Sequence, residues 1–121
     1  MIKSVGTLAY GPGNRVVLLA EQDIAEFYFS LVPKWVGLKR QAYPAHVSVV
    51  RKETPPDMGV WRKHDGKTIP FEYLEQIEND ETYYWLPVRS EGLVVVRREL
   101  GLPPWPPWRN KYHLTIGNLK S

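Results

Sequence analysis

The sequence predicts an α+β fold of two similar lobes, each of antiparallel strands plus one helix, set around a central cleft. Three observations carry this expectation. Turn signals separate paired strand-like runs, two stretches have helical spacing, and the same order of elements occurs twice along the chain. With 121 residues the chain has room for one core, so residues 1–121 read as a single domain.

In chain order, Val5 to Tyr10 and Arg15 to Leu19 flank Gly11-Pro12-Gly13-Asn14, which predicts a hairpin. Ile24, Phe27, Tyr28 and Leu31 follow the i, i+3, i+4, i+7 spacing of a helix, with Gln22 or Asp23 at its start and Pro33 stopping it. Ala45 to Val50 is a strand entered from a proline-containing loop. Thr54 to Lys67, rich in proline and charge, reads as a long loop between the lobes. Glu72 to Glu78 and Tyr83 to Arg89 flank Asn79-Asp80-Glu81-Thr82 and predict a second hairpin. Ser90 is an N-cap for a helix whose face carries Leu93, Val96 and Leu100 and which ends at Gly101 and Pro103. The β-branched run Val94-Val95-Val96 opposes that helix. Tyr112 to Gly117 is the last strand. Each half therefore reads as hairpin, helix, proline-ended loop, then a strand that begins His-apolar-hydroxyl. Gln22 precedes His46 by almost the same interval as Ser90 precedes His113.

Composition narrows the chemistry. The chain has no cysteine, which excludes disulfides, thiol nucleophiles and thiolate metal sites. Its three histidines show no metal-binding spacing such as HExxH, so neither metal nor cofactor is expected. The longest apolar runs, such as Val16 to Ala20, are too short for a membrane span, and Met1-Ile2-Lys3-Ser4 opens no signal peptide. A soluble, intracellular protein with no membrane partner is expected. The net charge of +3 suits an anionic ligand such as a nucleotide, though it is also ordinary for a soluble protein.

Chemistry concentrates in Pro44-Ala45-His46-Val47-Ser48-Val49-Val50 and Lys111-Tyr112-His113-Leu114-Thr115-Ile116-Gly117. In a strand, residues i and i+2 share a face, so His46 lies with Ser48 and His113 with Thr115. Val47, Val49, Leu114 and Ile116 take the opposite faces. If the two strands are neighbours, two imidazoles and two hydroxyls share one cleft. That set suits phosphodiester cleavage. One neutral imidazole removes a proton from the attacking oxygen, and a protonated one gives a proton to the leaving oxygen. An imidazole pKa near ~6.5 populates both forms at neutral pH. The hydroxyls donate to the non-bridging phosphate oxygens. One His-x-Ser on a strand is ordinarily structural. Two such motifs after matched helix-loop segments are a different matter.

On these residues the sequence resembles the 2H phosphoesterase superfamily, marked by two His-x-Thr/Ser motifs on paired central strands of a bilobal α+β fold. His46-Val47-Ser48 and His113-Leu114-Thr115 match both motifs, with Ser in place of Thr in the first. The stretch from Val32-Pro33-Lys34 through Tyr43 to Arg51 looks similar to short phage-encoded anti-CBASS phosphodiesterases. The resemblance implies hydrolysis of the cyclic oligonucleotides that bacteria use as antiviral signals, in the cytoplasm of a bacterial host. It implies His46 and His113 as catalytic residues and Ser48 and Thr115 as phosphate-binding ones. Two alternatives stand beside it: opening of 2′,3′-cyclic phosphates at RNA ends, and a nucleotide- or RNA-binding module without catalysis.

Other residues are candidates for the same site. Arg51, Lys52, Arg109 and Lys111 flank the motif strands and can steer a phosphate, or simply be solvated charge. Tyr10, Tyr43, Trp61 and Tyr112 can stack on bases, with Tyr10 at a strand end and Trp61 in the long loop favoured. His64 is expected in an exposed turn. Gly66-Lys67-Thr68 lacks the earlier glycine of a P-loop, since Trp61 stands there. The run from Pro103 to Trp108 has PxxP spacing, but its stronger reading is a loop that shapes the approach to His113.

Overall fold

The computed structural model describes residues 1–108 and 111–120. The first hairpin is β1 (Ile2–Gly11) and β2 (Arg15–Leu19), with Gly13 and Asn14 in the left-handed region that the tight turn requires. Helix α1 (Gln22–Leu31) and a 3₁₀ turn (Lys34–Val36) lead to β3 (His46–Val50). After the expected long loop come β4 (Thr68–Tyr73), β5 (Glu78–Asn79) and β6 (Tyr83–Arg89). Helix α2 (Glu91–Glu99) and β7 (Tyr112–Asn118) follow. Among the described residues no helix is long and apolar enough to cross a membrane.

The fold is α+β, and every strand pairing is antiparallel. The strands run β4-β1-β2-β3-β7-β6, and β4 pairs with β6 as well, so six of them close into a barrel while β5 extends along the edge of β6. One half of the ring is β1, β2, β3 and the other β4, β6, β7, each with its helix just before the last strand. The repeat anticipated from the order of elements is thus a repeat of topology. Its halves join at β3·β7 and at β1·β4.

Leu8, Leu18, Val47, Leu114 and Leu86 are successive cross-strand neighbours and are all at most 1% exposed. This row lines the barrel interior, and each such side chain contributes roughly 1.5–3 kcal/mol by leaving water. The helices plug the ends. Helix α1 packs Tyr28 on Tyr73 of β4, ring centroids 5.9 Å apart, and also meets β7. Helix α2 sets Gly92 against Ile69 of β4 and sends Arg97 to the Val49 carbonyl of β3. Gly92 has no room for a Cβ, which would lie 2.7 Å from Ile69.

The second helix keeps to its sequence pattern. Ser90 Oγ accepts from the Leu93 amide at 3.2 Å and donates to the Pro70 carbonyl at 2.9 Å, capping α2 and tying it to β4. Leu93, Val96 and Leu100 are buried, so tertiary burial outweighs the β-branched run. The first helix departs from its pattern. Ala25 and Tyr28 are buried, whereas Phe27 and Leu31 are 57% and 56% exposed. The mouth of a small barrel covers a narrow strip of helix, not the wide face that the spacing implied. The second hairpin also differs. The strand expected over Glu72 to Glu78 begins earlier, at Thr68, and breaks after Tyr73, where the Leu74 amide bonds to the Pro87 carbonyl. The hairpin turn lies between β5 and β6, where Asp80 Oδ1 accepts from the amides of Thr82 and Tyr83 at 2.8 and 2.7 Å.

Candidate active site

Strands β3 and β7 are adjacent, with Val47 opposite Leu114. Both of these point into the barrel, so their neighbours in sequence point out. Carried one residue each way, the antiparallel register sets His46 beside Thr115 and Ser48 beside His113. Each imidazole therefore has a hydroxyl from the other strand at its side. The histidines are diagonal neighbours on one face, a separation of about 7–8 Å. That gap suits one tetrahedral phosphate between two ring nitrogens. Leu19 and Val17 of β2 border this patch beside His46 and Ser48; Trp85 and Pro87 of β6 border it beside Thr115 and His113.

The two rings are held differently. His46 Nδ1 lies 2.7 Å from the Pro44 carbonyl. A carbonyl can only accept, so Nδ1 carries the hydrogen and Nε2 is the acceptor nitrogen of the neutral ring. Gln22 fixes the approach to this strand, its Oε1 accepting from the Ala45 amide at 2.9 Å. His113 is 8% exposed and packed among indoles. Trp85 meets it edge-on at 5.4 Å, and Trp108 lies tilted at 4.4 Å. Trp108 also contacts Trp85 at 5.4 Å and Tyr83 at 6.1 Å.

The loop that delivers Trp108 hangs on two buried side chains. Arg97 Nε donates to the Pro103 carbonyl at 2.7 Å, and the Tyr112 hydroxyl donates to the Pro104 carbonyl at 2.6 Å. Burial keeps the Tyr112 phenol protonated far beyond the ordinary range. Arg97 is fully buried, and it also grips Glu53 with Nη1 and Nη2 at 2.8 and 2.9 Å and the Val49 carbonyl at 2.8 Å. One guanidinium thus holds the end of β3 and the loop before β7 together.

On the opposite flank, Tyr43 is 65% exposed, with the Arg15 guanidinium 5.7 Å from its ring centre. Tyr43, Thr115, Gln22, Glu26, Arg40 and Gln41 border a cavity of about 50 Å³ at the mouth of the barrel. Arg40 lies over Phe29 at 4.4 Å and pairs with Glu26 at 2.9 Å.

The remaining candidate residues lie elsewhere or at the margin. Tyr10 shares the inner face with Leu8, is 9% exposed, and meets Trp61 edge-on at 5.1 Å. Burial raises its phenol pKa. Trp61 is partly buried in this pair, and neither ring joins the outer face that carries the histidines. Lys111, Arg51 and Lys52 are exposed beside the motif strands. Arg109 lies outside the described residues. His64 is not a solvated turn residue: its Nε2 is 2.8 Å from Glu99 Oε2 on α2, and this hydrogen bond lowers the Glu99 pKa. Among the described residues no three His, Asp or Glu side chains gather as a metal ion would require.

Sequence reasoning missed Arg97, Gln22, Tyr83 and Trp85 as parts of this site. Trp108 had one usable signal, the proline-tryptophan run just ahead of His113. Comparison with models of protein families, with curated proteins and with solved structures finds no match.

Proposed function

We propose that this chain is a metal-independent phosphodiesterase of the 2H phosphoesterase kind, which hydrolyses cyclic di- or trinucleotide signals of bacterial antiviral defence. The observation that carries the reading is the pairing of Val47 with Leu114, from which antiparallel geometry sets each motif histidine beside the other motif's hydroxyl. The topologically matched halves that meet there serve as the two lobes of this reading.

In the proposed reaction, one neutral imidazole takes the proton of the attacking oxygen as its bond to phosphorus forms. The bond from phosphorus to the leaving oxygen breaks, and the other imidazole, protonated, supplies that oxygen's proton. Ser48 and Thr115 donate hydrogen bonds to the non-bridging oxygens, whose charge grows in the transition state. Phosphate charge and both proton transfers are thus served by four side chains, with no step assigned to a metal.

The test is incubation with cyclic di- and trinucleotides and with 2′,3′-cyclic mononucleotides in EDTA, read by chromatography. Cleavage of the cyclic oligonucleotides that persists in EDTA is expected. Loss of turnover in EDTA, restored by a divalent ion, would overturn the two-histidine mechanism. Efficient opening of 2′,3′-cyclic phosphates with cyclic oligonucleotides left intact would move the substrate to RNA ends. Binding without turnover would leave only a nucleotide-binding module.

A further inference from the structure

We infer that Trp108 and Tyr43 are two nucleobase platforms, one on each flank of the histidine pair, and that the substrate carries a base on each side of the scissile phosphate. The inference rests on the phosphodiesterase reading of the site and adds the residues that select its substrate.

Strands β2-β3-β7-β6 lie side by side in that order. The histidines and hydroxyls occupy its middle two strands. Trp108 stands at the β6·β7 edge, where it touches Tyr83, Trp85 and His113. Tyr43 stands at the β2·β3 edge, three residues before His46, with Arg15 of β2 over its ring and Thr115 across the shared cavity. Two strand spacings separate the β6·β7 seam from the β2·β3 seam, about 9–10 Å. A dinucleoside phosphodiester with splayed bases can bridge that span with its phosphate over the histidines.

Exposure separates these two rings from Trp85, the other indole on His113. Trp85 is 3% exposed and serves the packing of His113, whereas Trp108 is 43% exposed although it lies on the same imidazole. The indole therefore covers His113 and still offers surface to solvent. Tyr43, at 65%, offers more. Aromatic faces bind any base, and each stacked base strengthens binding by about 1–3 kcal/mol, roughly tenfold to a hundredfold. Arg15 beside Tyr43 adds a cation to that flank, which suits a second phosphate as well as a base.

The experiment compares Trp108→Leu and Tyr43→Leu with Trp108→Phe and Tyr43→Phe on three substrates. These are 3′,3′-cyclic di-AMP, 2′,3′-cyclic AMP and the base-free 1-O-methylribose 2′,3′-cyclic phosphate. Each Leu variant should lower kcat/KM for cyclic di-AMP roughly tenfold to a hundredfold more than for the base-free compound, mainly through KM. Both Phe variants should recover most of that difference. For cyclic AMP, with one base, only one of the two positions should matter. Losses equal across all three substrates would overturn the inference and reduce Trp108 to packing for His113. If the wild-type chain cleaves none of them, equilibrium titration with cyclic di-AMP decides. Binding weakened in both Leu variants upholds the platforms while the catalytic reading falls, and absence of binding overturns both.

Discussion

Strands β3 and β7 carry the same His-apolar-hydroxyl motif and hold it in different ways. His46 opens β3, is partly exposed, and has its ring set by the backbone carbonyl two residues before it. His113 is the second residue of β7 and is wedged among indoles delivered by β6 and by the 103–108 loop. One imidazole is thus positioned by local geometry, the other by tertiary packing. The first should tolerate distant changes. The second should inherit every disturbance of the loop above it, and that loop hangs on Arg97.

The sharpest way to break this contrast is Arg97→Met. It leaves the Glu53 carboxylate and the carbonyls of Val49 and Pro103 without their donor in a buried place. Removing one partner of a buried ion pair costs about 3–5 kcal/mol, so urea denaturation should show a loss of that size. Where the variant stays folded, fluorescence from Trp108 and its neighbours should change more than the nuclear magnetic resonance signals of His46. The reverse order would mean that the loop does not hang on this arginine.

The next test sets the histidines against each other. His46→Ala and His113→Ala should each cut turnover by roughly 10²-fold or more, as loss of a general acid or base does. Their stabilities should part. His46→Ala should stay within about 0.5 kcal/mol of wild type, while His113→Ala should lose about 1–2 kcal/mol through broken aromatic contacts. Equal losses in thermal denaturation would refute the division into local and tertiary support. Near wild-type turnover in either variant would refute the assigned roles.

The smallest effects belong to the hydroxyls. On the proposed function, Ser48→Ala and Thr115→Ala should each lower kcat/KM only roughly fivefold, the worth of one hydrogen bond of about 1 kcal/mol. A loss as large as that of the histidine variants would assign them proton transfer as well.

How much of this could be read from the residues follows the same division. Period-two alternation makes the outward set of His46, Ser48, His113 and Thr115 legible, because strand geometry alone separates the faces. The Ser90 cap and the Leu93, Val96, Leu100 face are legible for a similar reason, since both obey local rules. Local spacing identifies α1 as a helix and cannot say how much of it a barrel mouth will cover, so Phe27 and Leu31 mislead. Arg97 is opaque from sequence, for a charged residue in a helix is ordinarily solvated and only tertiary partners bury it. Tyr10 and Trp61 misdirect the search for stacking rings because strand ends and loops do not state which side of a barrel they serve. Trp108 lies in a proline-rich loop, where no periodicity gives direction.

The closure of the barrel also bears on how the molecule is made. Strand β7, the last of the strands in chain order, inserts between β3 and β6 and completes the ring. Laying down that strand also brings His113 and Thr115 to His46 and Ser48. Before it arrives, β3 presents an open row of amides and carbonyls, as edge strands do, and is open to wrong partners on other chains. Contact between strands so distant along the chain closes a long loop, which slows folding. During synthesis, then, the interval in which the chain is most prone to aggregate ends with the step that assembles its candidate site.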